Sequence, residues 1–190
     1  QFGSDSLSGK KVSVQGVGHV GEYLVGHLAQ EGAKIYVTDI HEPTLKEVAS
    51  KYNAEVVGIN DIYDLDVDIY APCALGATVN DETLERLKCS IIAGAANNQL
   101  AKENIHGKKV MEKGMIYAPD FLINAGGVMN CYGEVAGIAE AQVMTMAENI
   151  YNTTLDIIET SQSSNIPTYQ IANQKAEERI HQLANIKKYM

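Results

Sequence analysis

Apolar and β-branched residues gather in short runs up to Tyr117, and between these runs the apolar positions recur every three or four residues. The first pattern predicts β-strands and the second predicts amphipathic helices. The predicted strands cover Lys11–Gln15, Lys34–Thr38, Glu55–Val57, Asp68–Ala71, Ser90–Ala93 and Gly114–Tyr117. Because strands that alternate with helices form βαβ units, we predict an α/β fold with a doubly wound parallel sheet.

Residues that favour helix ends mark the helices between these strands. Gly32 follows a helix predicted over His19–Gln30, and Pro43 suits the first turn of the next helix. Asn80 is a favourable N-cap ahead of two acidic residues. The helix ends therefore agree with the apolar pattern.

The pattern is helical alone from about Asn130 onward, so we expect long C-terminal helices. One long helix is predicted from apolar residues at three-, four- and seven-residue spacings: Val143, Met146, Ile150 and Ile157. A polar break at 161–165 separates it from a last, charged helix. We interpret Met144 and Met146 as core or interface residues, since methionine commonly fills irregular apolar gaps.

The composition is that of a globular protein with an excess of acidic residues. Of the 190 residues, 45% are hydrophobic, and 15 basic residues against 24 acidic ones give a net charge of −9. No cluster of Lys or Arg is present to attract phosphate groups, so we expect no nucleic-acid or membrane partner. We expect a cytoplasmic protein, because no apolar run is long enough to span a bilayer and the cysteines lack disulfide or metal-site spacing.

The stretch Gln15–Gly21 joins the first predicted strand to the first predicted helix. Its glycines, Gly16, Gly18 and Gly21, have the G-x-G-x-x-G spacing, which allows a tight turn and brings backbone N–H groups close to a pyrophosphate. The helix that follows turns the positive end of its dipole toward that anion. In this context the loop predicts a Rossmann-like dinucleotide-binding domain.

Asp39 ends the second predicted strand, 39 − 16 = 23 positions after the first glycine. A carboxylate about 20 residues beyond that glycine binds the hydroxyls of an adenosine ribose. It also repels a 2′-phosphate, so the predicted cofactor is NAD and not NADP. The alternative for Asp39 is a solvated acid at a strand end.

His19 lies inside the glycine loop. It is either a further donor to the pyrophosphate or a partly exposed residue at the start of the helix. His27, His106 and His181 show no partner spacing that is typical of a metal site, so we predict no metal.

Three further loops rich in small residues follow predicted strands: Pro72–Ala77, Ala93–Gln99 and Ala118–Gly127. The carboxyl ends of the strands in an open α/β sheet are where ligands lie. Small residues let a flat ring approach, and Asn side chains can pair with a carboxamide through donor and acceptor together. The three loops together predict a nicotinamide site.

With the glycine loop, these three loops closely resemble the cofactor domain of the glutamate/leucine/phenylalanine/valine dehydrogenase family. The resemblance covers nearly the whole chain and is strongest to the leucine branch, through Pro72–Ala77, Asn98–Leu100 and Asn130. Residues 131–134 depart from the usual leucine-branch residues beside the substrate cleft, which leaves side-chain preference open.

The resemblance implies a role for each group of site residues. The pyrophosphate is held by Gly16, Val17, Gly18, His19, Val20 and Gly21. Asp39 binds the adenosine ribose, Cys73, Ala74 and Leu75 border the cofactor, and Asn98 and Asn124 approach the nicotinamide half.

The resemblance also implies NAD-dependent oxidative deamination of an L-amino acid. Leucine or another branched aliphatic substrate is favoured over phenylalanine or glutamate. In the family a preceding substrate domain carries the catalytic lysine and aspartate. No matching Gly-rich lysine motif occurs here, so we assign no catalytic residue to this chain.

Residues 1–190 then form the C-terminal, NAD-binding domain, inactive alone, of a longer homo-oligomeric enzyme that meets its amino-acid substrate through the missing domain. The competing hypothesis is a non-enzymatic, NAD-sensing regulatory module. Such a module would need the glycine loop and Asp39 but not the three nicotinamide-side loops.

Overall fold

A computed structural model of the protein describes residues 1–186 and has a six-stranded parallel sheet at its centre. The strands are β1 (Lys11–Gln15), β2 (Lys34–Thr38), β3 (Glu55–Val56), β4 (Ile69–Pro72), β5 (Ile91–Ile92) and β6 (Ile116–Tyr117). Their order in the sheet is β3-β2-β1-β4-β5-β6, and every neighbouring pair is parallel. This order is that of a Rossmann-like doubly wound fold, so the predicted fold class is confirmed.

Helices connect the strands and form the C-terminal part of the chain. They are α1 (His19–Gln30), α2 (Glu42–Tyr52), α3 (Asp81–Arg86), α4 (Glu103–Glu112), α5 (Asp120–Ile123), α6 (Gly126–Ala136), α7 (Glu140–Glu148), α8 (Ile150–Ser164) and α9 (Thr168–Ile186). A short 3-10 turn covers Asp61–Tyr63. Within residues 1–186, none of the helices combines the length and the hydropathy that crossing a bilayer requires.

Apolar side chains pack on both faces of the sheet. On one face, Val25 of α1 and Val48 of α2 join a cluster with residues of β1 and β2. On the other face, Leu84 of α3 and Val110 of α4 pack with Tyr70 and residues of β5 and β6. Because the central strands are covered on both sides, the polar Ser13 and Gln15 of β1 are buried along with Val12 and Val14.

The sequence pattern placed one long helix where the structure has two. Helix α7 ends at Glu148 and α8 begins at Ile150, so that prediction is wrong. Val143 of α7 and Ile157 of α8 are buried, but Met144 and Met146 are 55% and 36% exposed. These two methionines are therefore not core residues.

The polar stretch at 161–165 ends a helix and is not a loop between helices. Helix α8 runs through Ser164, and Asn165 ends it with a left-handed backbone at φ +55°. The buried Ser161 hydroxyl donates to the carbonyl of Ile166 at 2.5 Å. A serine whose hydroxyl is satisfied in this way fits inside the packed α8–α9 corner.

Candidate functional site

The glycine loop connects the end of β1 to the start of α1, and its first glycine is required by the backbone. Gly16 has φ +97°, and a Cβ there would lie 2.6–2.9 Å from atoms of Ala74. Both the left-handed backbone and the contact exclude a side chain. Gly16 thus makes the turn and lets the loop after β4 lie against it.

The other two glycines have different surroundings. A Cβ on Gly21 would lie 2.1 Å from the carbonyl oxygen of Gly16, so this glycine lets α1 pack directly against the turn. A Cβ on Gly18 would meet nothing within 4 Å. Gly18 therefore faces open space at the start of α1, where the amides of the first helical turn lack carbonyl partners within the helix and can bind an anion.

Asp39 links the end of β2 to the glycine loop. Its Oδ2 accepts the N–H of Val17 at 2.8 Å, and its Oδ1 accepts the N–H of His41 at 2.8 Å. Each carboxylate oxygen has two lone pairs, so each retains capacity for a second donor. Asp39 is therefore not simply a solvated acid.

The remaining loop residues divide into a buried and an exposed group. Val17 is fully buried in the core, while Val20 is 58% exposed. His19 is exposed, and its ring packs edge-on against Tyr23 with centroids 5.2 Å apart. Gly18, His19 and Val20 are thus the loop residues that a ligand at the start of α1 can reach.

A cavity of about 310 Å³ lies beside Asp39, between the ends of β1 and β2 and the loop after β4. Apolar Ile40 and Ile59 line it, and the buried hydroxyl of Thr38 has no hydrogen-bond partner. We call this space the Asp39 cavity. Apolar walls beside a carboxylate suit a flat, weakly polar ring joined to a sugar.

A buried polar chain supports one wall of the Asp39 cavity. The Tyr70 hydroxyl donates to Oε1 of Gln15, whose Nε2 donates to the Tyr63 hydroxyl at 2.7 Å. Burial raises the pKa of Tyr70, which keeps it protonated as a donor. Tyr63 lines the cavity, and sequence reasoning missed it because nothing in the local sequence links these residues.

The loop after β4 lies between the glycine loop and the loop after β5. Cys73 donates its backbone N–H to the Gln15 carbonyl at 2.7 Å, and its Sγ accepts the N–H of Ala95 at 3.4 Å. Burial raises the pKa of the Cys73 thiol, which therefore stays protonated at neutral pH. Ala74 contacts the turn at Gly16, while Leu75 is 79% exposed.

The predicted asparagines lie on neighbouring loops but are not paired with each other. Asn124 donates from Nδ2 to Oδ1 of Asn97 at 2.6 Å. Asn98 has a left-handed backbone at φ +52°, and its carbonyl accepts the N–H of Ala77 at 2.7 Å. The structure thus brings Asn97 into the site. This residue enters the sequence-based prediction only as part of the loop Ala93–Gln99.

The twelve predicted residues lie beyond the carboxyl ends of the strands, with residues 19–21 in the first turn of α1 and Asn124 in the turn after α5. This edge of the sheet is where ligands of open α/β folds lie. Among residues 1–186, no group of three or more His, Cys, Asp or Glu side chains is arranged to hold a metal ion.

Residues 37–189 match the family model described as Glutamate/Leucine/Phenylalanine/Valine dehydrogenase. The chain is 51% identical over 182 residues to a leucine dehydrogenase from Thermoactinomyces intermedius, covering 96% of this chain and 50% of that protein. It is 44% identical to an L-tryptophan dehydrogenase from Nostoc punctiforme, covering 94% of this chain and 50% of the relative. The chain thus spans about half the length of the curated relatives it matches.

Solved structures give the same relationship. The crystal structure of L-tryptophan dehydrogenase from Nostoc punctiforme superposes with a TM-score of 0.93 at 43% identity, covering 96% of this chain and 55% of that one. A hetero-hexameric glutamate dehydrogenase from Thermus thermophilus has a TM-score of 0.73 at 16% identity, covering 95% of this chain and 48% of that one. The second likeness concerns the fold alone.

Proposed function

We propose that this chain, which belongs to the Glutamate/Leucine/Phenylalanine/Valine dehydrogenase family, supplies the NAD-binding domain of an amino-acid dehydrogenase. The observation that carries the proposal is the glycine turn at Gly16–Gly21 held against the Asp39 carboxylate at the edge of the sheet. Because the chain spans about half the length of its relatives, the activity proposed is that of the longer protein.

The residues present fit NAD at each part of the molecule. The open space at Gly18 and the first-turn amides of α1 suit the pyrophosphate. The remaining lone pairs of Asp39 suit the hydroxyls of the adenosine ribose, and the Asp39 cavity suits the adenine. A negative charge at Asp39 disfavours the 2′-phosphate of NADP, which supports NAD as the cofactor.

The nicotinamide half fits the space beside the loops after β4, β5 and β6. The side-chain amides of Asn97 and Asn124 provide donors and acceptors for a carboxamide. Gly94 is small by necessity, since a Cβ there would lie 2.2 Å from the Pro72 carbonyl oxygen. The protonated Cys73 thiol adds no charge next to the ring.

The proposed reaction is oxidative deamination of an L-amino acid to a 2-oxo acid and ammonium. NAD, when bound, supplies the acceptor for the hydride that leaves Cα. The residues of this chain hold the cofactor and exclude water around it. We propose that the catalytic lysine and aspartate belong to a substrate domain outside this chain, and that the complete enzyme is a homo-oligomer.

A branched aliphatic amino acid such as leucine is the proposed substrate. Relatives named leucine dehydrogenase are 48–51% identical to this chain, whereas a phenylalanine dehydrogenase from Caldalkalibacillus thermarum is 38% identical. Helix α6 follows Asn124 and exposes apolar Val128 and Val135 on one side. An apolar surface beside the nicotinamide loops is compatible with an aliphatic side chain.

Calorimetric titration with NADH and NADPH tests the cofactor proposal directly. We expect saturable NADH binding and much weaker NADPH binding. Asp39→Asn should weaken the binding of NADH. It should also narrow the difference in affinity between NADH and NADPH, because the repulsion of the 2′-phosphate is removed. The matched control is Asp66→Asn, which removes the same charge from an exposed residue that pairs with Lys11 at the opposite edge of the sheet.

Equal binding of both cofactors, or an equal effect of the two substitutions, would contradict the role of Asp39. If the chain binds neither NADH nor NADPH, its proposed function as a cofactor-binding domain is contradicted. The substrate is tested in the longer protein, where NADH formation with leucine, phenylalanine and glutamate is compared. A preference for glutamate would overturn the aliphatic assignment.

A further inference from the structure

Gln99 lies in the loop after β5 and is fully buried, although its side chain is polar. Its Nε2 donates to the carbonyl oxygens of Gly94 at 2.5 Å and Ala96 at 3.0 Å. Both acceptors belong to the loop that contains Gln99 itself. The side chain therefore fixes the shape of the segment that presents Asn97 and Asn98.

The backbone of Gln99 binds the two neighbouring loops. Its carbonyl oxygen accepts the N–H of Val79, just beyond the loop after β4, at 2.9 Å. Its N–H donates to Oδ2 of Asp120, at the start of α5, at 2.8 Å. One residue thus joins the segments that follow β4, β5 and β6.

Asp120 completes this connection from the third loop. It is only 8% exposed, and its Oδ1 accepts the N–H of Phe121 at 2.7 Å. Its own N–H donates to the Tyr117 hydroxyl at 3.3 Å. A buried carboxylate is costly unless it is hydrogen-bonded, and here both oxygens accept backbone donors.

The loops that Asp120 and Gln99 join are strained. Ala77 and Asn98 both have left-handed backbones, at φ +60° and φ +52°, and are hydrogen-bonded to each other. Such conformations persist only where the surrounding structure holds them, and they concentrate at functional sites. The contacts of Gln99 lie directly beside both residues.

We propose that Asp120 and Gln99 are positioning residues for the nicotinamide half of the cofactor, an inference that rests on the proposed function. Neither residue lines the Asp39 cavity, to which the loops after β5 and β6 contribute no residue. Their loss should therefore weaken binding of the whole cofactor and leave binding of its ADP-ribose part unchanged. A role in stability alone would affect both ligands equally.

The test compares NADH with ADP-ribose in Asp120→Asn, by calorimetry and by the fluorescence of bound NADH. The amide turns an N–H₂ group toward one of the two backbone donors, so we expect NADH to bind about tenfold more weakly. ADP-ribose affinity should stay within about twofold of the unmodified chain, since its contacts are not altered. The emission shift of bound NADH should also decrease, because the nicotinamide is held less firmly.

Ile35→Val is the control for stability, since Ile35 is buried near the amino end of β2, away from the edge of the sheet where the site lies. It should lower the melting temperature without changing the ratio of the two affinities. If Asp120→Asn does not fold, Tyr117→Phe takes its place, because it removes the acceptor for the Asp120 N–H. We expect a smaller loss of NADH affinity from it, again without loss of ADP-ribose binding.

An equal loss for both ligands, or no loss for either, would overturn the proposal for Asp120 and Gln99. The proposal would also be overturned if the unmodified chain binds ADP-ribose but does not bind NADH more tightly than ADP-ribose. If the unmodified chain binds neither ligand, the proposed function itself fails. The two failures are therefore distinguishable.

Discussion

Gly16 and Gly18 are two positions apart, but the structure gives them different physical roles. Gly16 is required by the folded chain, since its backbone is left-handed and a Cβ would strike Ala74. Gly18 is not required by the folded chain, since a Cβ would meet nothing within 4 Å. Substitution at these two sites can therefore separate folding from binding.

We expect Gly18→Ala to fold with a free energy of unfolding within about 1 kcal/mol of the unmodified chain. The methyl group would occupy the space proposed for the pyrophosphate, so NADH affinity should fall at least about tenfold. Gly16→Ala should instead lower the free energy of unfolding by about 3 kcal/mol. Urea unfolding and calorimetry measure the two effects, and unchanged NADH binding in Gly18→Ala would contradict the site.

The three cysteines should differ in their reactivity toward iodoacetamide. Cys131 is exposed and should react first. Burial raises the pKa of Cys73, and it raises the pKa of Cys89 to about 11, so the reactive thiolates form only as the pH rises. At pH 8 about one Cys89 in a thousand is ionised, so buried Cys89 and partly buried Cys73 should both react slowly.

Mass spectrometry of the modified chain at successive times checks this order. Raising the pH to 10 should accelerate the reaction of Cys73 and Cys89 with iodoacetamide, because more of each thiol is ionised. If the proposed function is correct, bound NADH should slow the modification of Cys73 further and leave the modification of Cys131 unaffected. Reaction of Cys73 at the rate of Cys131 would contradict the partial burial of Cys73.

Among the helices, α3 is short, and its stability depends on contacts made by the residues at its two ends. Asn80 accepts the N–H groups of Glu82 and Thr83, while the Thr83 hydroxyl accepts the N–H of Asn80. Arg86, near the other end of α3, pairs with Asp64 at 2.8 Å, and this guanidinium holds the pKa of the Asp64 carboxyl below its ordinary value. The helix lies between the loop after β4 and β5, so its ends help to place that loop.

Asn80→Ala should lower the free energy of unfolding by about 1 kcal/mol, because it removes the side-chain acceptor for two helix-end donors. Asn80→Asp keeps an acceptor and adds a favourable charge at the helix start, so it should be close to neutral. Chemical unfolding of the two variants provides the comparison. Equal destabilisation by both would contradict the importance of the cap.

For the whole molecule, cofactor binding and folding are linked. A ligand that binds only the folded state at about 100 times its Kd stabilises that state by about 2.7 kcal/mol. For a chain of this size, the corresponding rise in melting temperature is about 5–10 °C. We expect that rise with NADH, a smaller one with NADPH at the same concentration, and at most about half of it for Gly18→Ala with NADH, since a tenfold weaker Kd leaves about 1.4 kcal/mol.

Differential scanning calorimetry at several NADH concentrations measures the effect. The melting temperature should increase with the logarithm of ligand concentration once the site is saturated. An equal rise with NADPH would contradict selection by Asp39. A melting temperature independent of NADH would contradict cofactor binding by the chain as a whole.

The sequence by itself determined the strands, most helix ends and the glycine loop, because each depends on residues close together in the chain. β-Branched runs predicted the strands, and Asn80 and Pro43 marked helix starts that the structure contains. The spacing of Gly16 and Asp39 brought both to the same edge of the sheet, since parallel strands end together there. Their roles in binding stay predictions.

Only the tertiary structure decided which distant residues touch. Gln15 meets Tyr70 across 55 positions, Asn124 meets Asn97 across 27, and Gln99 meets Asp120 across 21. These contacts depend on strand order and on the exact path of each loop, which no local periodicity encodes. For the same reason, one apolar spacing could not distinguish a single C-terminal helix from α7 and α8: the break at Asn149 is decided by how the helices pack.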